Sequence, residues 1–126
     1  FSGCLYYMKE ESFQLILAHS QVKVCPQKDV WQQDSIYHYK GLNICVLVDN
    51  RWRSRSVDSL LDIDYMYLCK GFKGKIAPLQ KIFKIRKVIL DASLGGYRLN
   101  LLKDECRGLG LDYIDISPKG SYRILL

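Results

Sequence analysis

Asp49 closes the apolar run Ile44-Cys-Val-Leu-Val48, and Asp91 ends the strand-like segment Lys87-Val-Ile-Leu-Asp91. Carboxylates at the ends of neighbouring buried strands can hold Mg²⁺ for phosphoryl chemistry, which makes the pair a candidate nuclease or phosphoesterase centre. The plainer alternative is that each aspartate caps the turn that follows it. The two histidines, His19 and His38, stand on unrelated segments and are too few for a His-rich metal site. A Ser–His–Asp triad would need a nucleophile, and no G-x-S-x-G elbow is present. The five cysteines are Cys4, Cys25, Cys45, Cys69 and Cys106, with no C-x-x-C among them, so neither a structural zinc site nor a thioredoxin-like motif is expected. An odd number cannot be fully paired within one chain. Cys45 and Cys69 lie in apolar runs and read as small buried hydrophobes, while a Cys4–Cys25 or similar bridge stays open. The expectation is no catalytic residue and no cofactor.

Charge is the stronger signal. The chain carries 19 Lys and Arg against 13 Asp and Glu, a net +6. Lys70, Lys73, Lys75, Lys81, Lys84, Arg86 and Lys87 fall in a stretch with no acidic residue, so that segment holds +7 and the remainder −1. A second basic run, Arg51-Trp-Arg-Ser-Arg55, follows the first buried strand. Basic clusters attract phosphate backbones, and interleaved aromatics such as Trp52 and Phe72 can stack on unpaired bases. The nucleic-acid-binding candidates are therefore Arg51, Trp52, Arg53, Arg55, Lys70, Phe72, Lys73, Lys75, Lys81 and Lys84. The competing reading is a solvated helix face with its flanking loops. Gly71-Phe-Lys-Gly74 is no phosphate loop, because the Walker spacing and the Ser/Thr after Lys75 are missing.

The elements that must position these residues follow from periodicity. Phe13–His19 and Gln21–Cys25 read as strands joined at Ser20, and Ile36–Tyr39 as a third, after a polar loop over Gln27–Ser35. Ile44–Val48 is apolar throughout, as in a strand buried on both faces. Beyond it come a short helix over Val57–Ile63, a strand Asp64–Cys69, and a helix opened by Pro78 with Leu79, Ile82 and Phe83 on one face. Lys87–Asp91 is the next strand. Tyr97–Gly108 is the best helix, with Leu99, Leu102 and Cys106 on one face and Gly108 or Gly110 to stop it. Asp112–Ile116 and Ser121–Leu126 close the chain as strands predicted to pair antiparallel. From residue 44 the order is β-α-β-α-β-α-β-β, an α/β fold with a mixed sheet. The 126 residues amount to one domain, with a β-rich front over 1–40 and an α/β part over 41–126. At 48% hydrophobic and 25% charged, the composition excludes a disordered or fibrous chain. No apolar run reaches the ~20 residues of a membrane-spanning helix. A chain that starts on Phe1 reads as a piece of a larger protein.

Residues 41–126 resemble the C-terminal region of the ComEC family, polytopic membrane channels of DNA uptake in natural competence. Val46-Leu-Val-Asp49 stands where the family's Gly-Asp strand end falls, with Val48 in place of the glycine. Asp64-Tyr-Met-Tyr-Leu-Cys-Lys-Gly71 stands at the strand and His-His-Gly-Ser box, and Lys87-Val-Ile-Leu-Asp-Ala-Ser93 at the third strand. Cys106–Tyr113 and Lys119–Leu125 look like the family's ending. In many members this region looks like a metallo-β-lactamase fold, so the resemblance implies a metallo-β-lactamase-like half-sandwich. The His-His-Gly-Ser box is absent, Lys70-Gly-Phe-Lys73 filling its place, and so is the His-x-His-x-Asp-His motif. Asp49 is the one metal-ligand position that carries over, and a single aspartate cannot hold a dinuclear zinc site. The resemblance implies a degenerate, non-catalytic accessory domain of a DNA-uptake channel. Its expected partners are single-stranded DNA and the transmembrane part of the parent, through which it would be membrane-associated. The alternatives are an assembly domain without ligand, or the metal-dependent enzyme on Asp49 and Asp91.

Overall fold

A computed structural model of the chain describes residues 14–25, 31–33, 35–52, 55 and 57–125. Its elements are β1 (Gln14–Ala18), β2 (Gln21–Cys25), β3 (Trp31–Gln33), β4 (Ile36–Tyr39), β5 (Leu42–Leu47), β6 (Leu61–Leu68), a 3₁₀ helix (Ala77–Lys81), β7 (Phe83–Leu90), α1 (Gly96–Leu109), β8 (Asp112–Asp115) and β9 (Ser121–Leu125). They form two sheets, one ordered β2-β1-β9 and the other β3-β4-β5-β6-β7-β8. The smaller sheet is antiparallel. The larger is mixed: β3, β4 and β5 run antiparallel, and β5 to β8 run parallel.

The apolar run of β5 is buried on both faces, as its sequence requires. Ile44 and Val46 join Leu15, Leu17, Tyr67 and Ile89 in a core between the two sheets. Cys45 and Leu47 join Met66, Leu68, Val88 and Leu90 in a second core, which takes in Leu102 and Cys106 of α1. The layers are thus helix, large sheet, small sheet, and each strand's alternation feeds both cores. The β1–β2 turn places His19 and Ser20 at positive φ (52° and 59°), the mirror-type geometry that matches hairpin twist. α1 ends on Gly110 at φ 71°, where Leu111 N–H donates to the Cys106 carbonyl at 2.9 Å and closes the last turn.

Four expectations are corrected. Val57–Ile63 is not a helix: residues 57–60 are irregular and Leu61 already belongs to β6. Parallel pairing of Leu61 through Leu68 with Phe83 through Leu90 extends that strand against its weak local helical pattern. The Pro78 helix is one 3₁₀ turn. Leu79 and Ile82 are buried as expected, but Phe83 is drawn into register with Leu61 and opens β7. The stretch Gln27–Ser35 contains strand β3, though part of it lies outside the described residues. Finally, β9 does not pair with β8. It crosses to the other sheet and pairs antiparallel with β1, where Ile124 packs into the inter-sheet core. Gly120, at φ 77°, turns the chain there, with its N–H donating to the Ile116 carbonyl at 2.6 Å.

Candidate nucleic-acid interface

The loops leaving the carboxyl ends of β5 and β6 build a pocket of about 450 Å³ together with the 3₁₀ helix. Ligand crevices in open α/β sheets sit at such strand ends. Leu47, Trp52, Phe72, Leu79 and Ile82 supply apolar walls, and Arg55, Lys73, Lys75 and Lys81 stand around it. Arg55 of the first basic run thus meets Lys73, Lys75 and Lys81 of the second at one site.

The local geometry explains why. Gly71 lets the β6 loop cross against the β5 loop: a Cβ there would lie 1.6 Å from the Val48 carbonyl oxygen. Beside that crossing, Lys73 N–H donates to Asn50 Oδ1 at 2.9 Å and Cys69 N–H donates to the Leu47 carbonyl at 3.0 Å. α1 holds the same loop from the far side. The Arg98 guanidinium donates to the Phe72 carbonyl at 3.2 Å and to the Gly74 carbonyl, and lies 5.4 Å from the Phe72 ring centre. Glu105 accepts from the Ile76 and Ala77 N–H groups at 2.8 and 2.9 Å, satisfying the open amides at the start of the 3₁₀ helix.

Arg98 and Glu105 were not singled out from the sequence. Their signal was there: with Leu102 they follow i, i+4, i+7 and so belong to the helix's packed face. Glu105→Ala is expected to destabilise the chain by about 2 kcal/mol, because it strands two amides, one of them on the buried Ile76. Urea unfolding measures this, and an unshifted midpoint removes the capping role.

The other candidates separate. Arg51 grips Asp49, with Nε at 3.0 Å and Nη2 at 2.9 Å from its carboxylate oxygens. That guanidinium holds the Asp49 carboxyl below its ordinary value. Trp52 is 8% exposed and Phe72 3%, so both rings are pocket walls and core rather than open stacking surfaces. Trp52 donates its indole N–H to Ser35 Oγ at 2.9 Å, packs edge-on to Phe83, and carries the Arg55 guanidinium 4.6 Å above its ring. Lys70 begins the β6 loop, where its N–H donates to Ser93 Oγ, and does not line the pocket. Lys84 lies at the opposite end of the strands, near Asp62, Asp64 and Arg86. Arg53 lies outside the described residues.

The paired-aspartate centre is corrected. β6 lies between β5 and β7, so Asp49 and Asp91 follow strands two places apart, roughly 10 Å across the sheet. They also face opposite ways. Asp49 lines the pocket on the helix side. Asp91, 1% exposed, is engaged by Tyr67 and Ser20 on the inter-sheet side. No single metal ion reaches both carboxylates. Among the described residues no group of three His, Cys, Asp or Glu side chains is placed to hold a metal. Cys45, Cys69 and Cys106 are all buried, with Cys45 Sγ 3.8 Å from Ser35 Oγ. Burial pushes the Cys69 thiol up to about 12 and the Cys106 thiol up to about 11. Cys4, half of the bridge considered above, lies outside the described residues.

The fold is a mixed α/β one, with Arg55, Lys73, Lys75 and Lys81 around a pocket at its parallel strand ends. Residues 4–126 match the ComEC C-terminal domain, and the chain belongs to that family. The family connects it to the membrane proteins of DNA uptake in competence. No helix among the described residues is long and apolar enough to cross a membrane. No curated protein and no solved structure matches the chain significantly.

Proposed function

We propose that this chain is a non-catalytic accessory domain of a ComEC-type DNA-uptake channel, contacting single-stranded DNA at the pocket between the β5 and β6 loops. The carrying observation is the rim. Lys73, Lys75 and Lys81 converge there with no carboxylate partner among the described residues, while Asp49 is already matched by Arg51. A transported strand presents a row of phosphates of the opposite sign. The fold is read as a degenerate metallo-β-lactamase-like half-sandwich. Two facing sheets with a helix on one outer surface support that reading, and the family's His ligands are missing from the sequence. The partners are the DNA strand and the transmembrane part of the parent, which holds the domain at the membrane.

The test is a salt titration of the 126-residue chain with a labelled single-stranded oligonucleotide. Affinity is expected to fall with log salt at a slope near −2, since each neutralised phosphate of a single strand contributes about −0.7 and three lysines are available. Lys73→Gln with Lys75→Gln should reduce the slope by roughly 1.4 on the same basis. An absence of binding at low ionic strength would refute DNA contact and leave an assembly role.

A further inference from the structure

We infer that the pocket is a base-binding subsite: one unstacked base of a single strand enters it, while the flanking phosphates rest on Lys73, Lys75 and Lys81. This rests on the DNA-contact reading above and deepens it. Cations alone would suit any polyanion. The pocket adds depth, with a volume of about 450 Å³, inside the range of small-ligand sites. Its walls are the side chains that suit a flat, apolar ring: Trp52 and Phe72, with Leu47, Leu79 and Ile82. A phosphate has no use for such walls, whereas a nucleotide offers both halves, the ring for the walls and the charge for the rim.

One polar group is placed for the edge of the ring. Asn50 lines the pocket and spends its Oδ1 on Lys73 N–H. Its amide nitrogen, without a partner among the described residues, remains a donor for a base carbonyl. The walls are also held in shape. Arg98 fixes the carbonyls of Phe72 and Gly74, and Trp52 is anchored through Ser35. Little ordering is left for binding to impose, which favours affinity.

The experiment compares a hexamer of thymidine with a hexamer of abasic deoxyribose phosphates, both at low salt. A blocking variant, Gly74→Leu, is measured beside the wild type. A Cβ on Gly74 meets Phe72 ring carbons at 3.5 and 3.7 Å, ordinary contact distances, so a larger side chain there fills space against a pocket wall. The expected result is roughly tenfold weaker binding of the abasic chain. Gly74→Leu should weaken the thymidine hexamer to the abasic level and leave the abasic chain unchanged. Equal affinities of the two hexamers for the wild type, with the same salt slope, overturn the subsite and keep the DNA contact. Binding of neither hexamer overturns the DNA contact itself. The wild-type comparison stands even if Gly74→Leu fails to fold.

Discussion

Gly71→Ala is expected to destabilise the chain by about 3 kcal/mol or more and to lower its melting temperature by roughly 10 °C or more. The added Cβ would sit 1.6 Å from the Val48 carbonyl oxygen and 2.6 Å from its carbon. Both obstructing atoms belong to the backbone, so no side-chain rotation relieves them. The β5 and β6 loops would have to part, straining the Cys69–Leu47 and Lys73–Asn50 hydrogen bonds that hold them together. Lys73 and Lys75 travel with the moved loop, so oligonucleotide binding should fall along with stability. Gly74→Ala is the control. Its Cβ has no neighbour nearer than 3.5 Å, and a change within about 0.5 kcal/mol is expected. If the two variants melt together, the close crossing at Gly71 is wrong.

Asp91→Ala is expected to cost about 3 kcal/mol, for a different reason. The carboxylate joins three elements. Oδ1 accepts from the Tyr67 hydroxyl, and Oδ2 accepts from the Ser20 hydroxyl at 3.2 Å and the Ser93 N–H at 3.1 Å. Tyr67 is fully buried, so its hydroxyl loses its acceptor with no water to replace it. Ser20 and Ser93 are more exposed, so water can satisfy them and their share is smaller. Tyr67→Phe combined with Asp91→Ala should cost less than the sum of the single changes, since both break one bond.

Acid also weakens this junction. Burial alone would push the Asp91 carboxyl up, but hydrogen bonds from Ser93, Tyr67 and Ser20 outweigh it and hold the group below its ordinary value of 3.8. The unfolded chain therefore takes up the proton first. The stabilising contribution is present above the ordinary value and is lost as the pH falls through the depressed folded value. Urea unfolding between about pH 6 and pH 2.5 should show the gap between wild type and Asp91→Asn narrowing toward acid. A gap that stays constant would mean that Asp91 does not titrate with folding.

Much of this arrangement is local enough to be read from the chain. The alternation in Gln21–Cys25 marked β2, the apolar run from Ile44 marked a doubly buried strand (which ends at Leu47, leaving Val48 exposed), and the stripe with Gly110 beyond it marked α1. Each depends on neighbours within a turn or two. What failed depends on distant partners. Val57–Ile63 lost its predicted helix because Phe83 through Leu90 pairs with β6 from Leu61 onward. β9 left β8 because β1, about a hundred residues earlier, offered it an edge and an apolar face. The site divides in the same way. The +7 segment was legible as composition, yet its lysines split between the two ends of the strands, a division set by where β6 ends and β7 begins.

By itself, the sequence determined the charge, the scarcity of histidine and the strands that the apolar runs must form. Those properties are sums or short-range patterns, and folding leaves them unchanged. Only the tertiary structure decided that Arg55 meets Lys73, Lys75 and Lys81 around one pocket, that Trp52 and Phe72 face inward as walls, and that Asp49 and Asp91 never share a site. The reason is geometric. Strand order sets the lateral distance between loops, side-chain direction decides which face of the sheet each residue serves, and both follow from pairings between residues far apart in the chain.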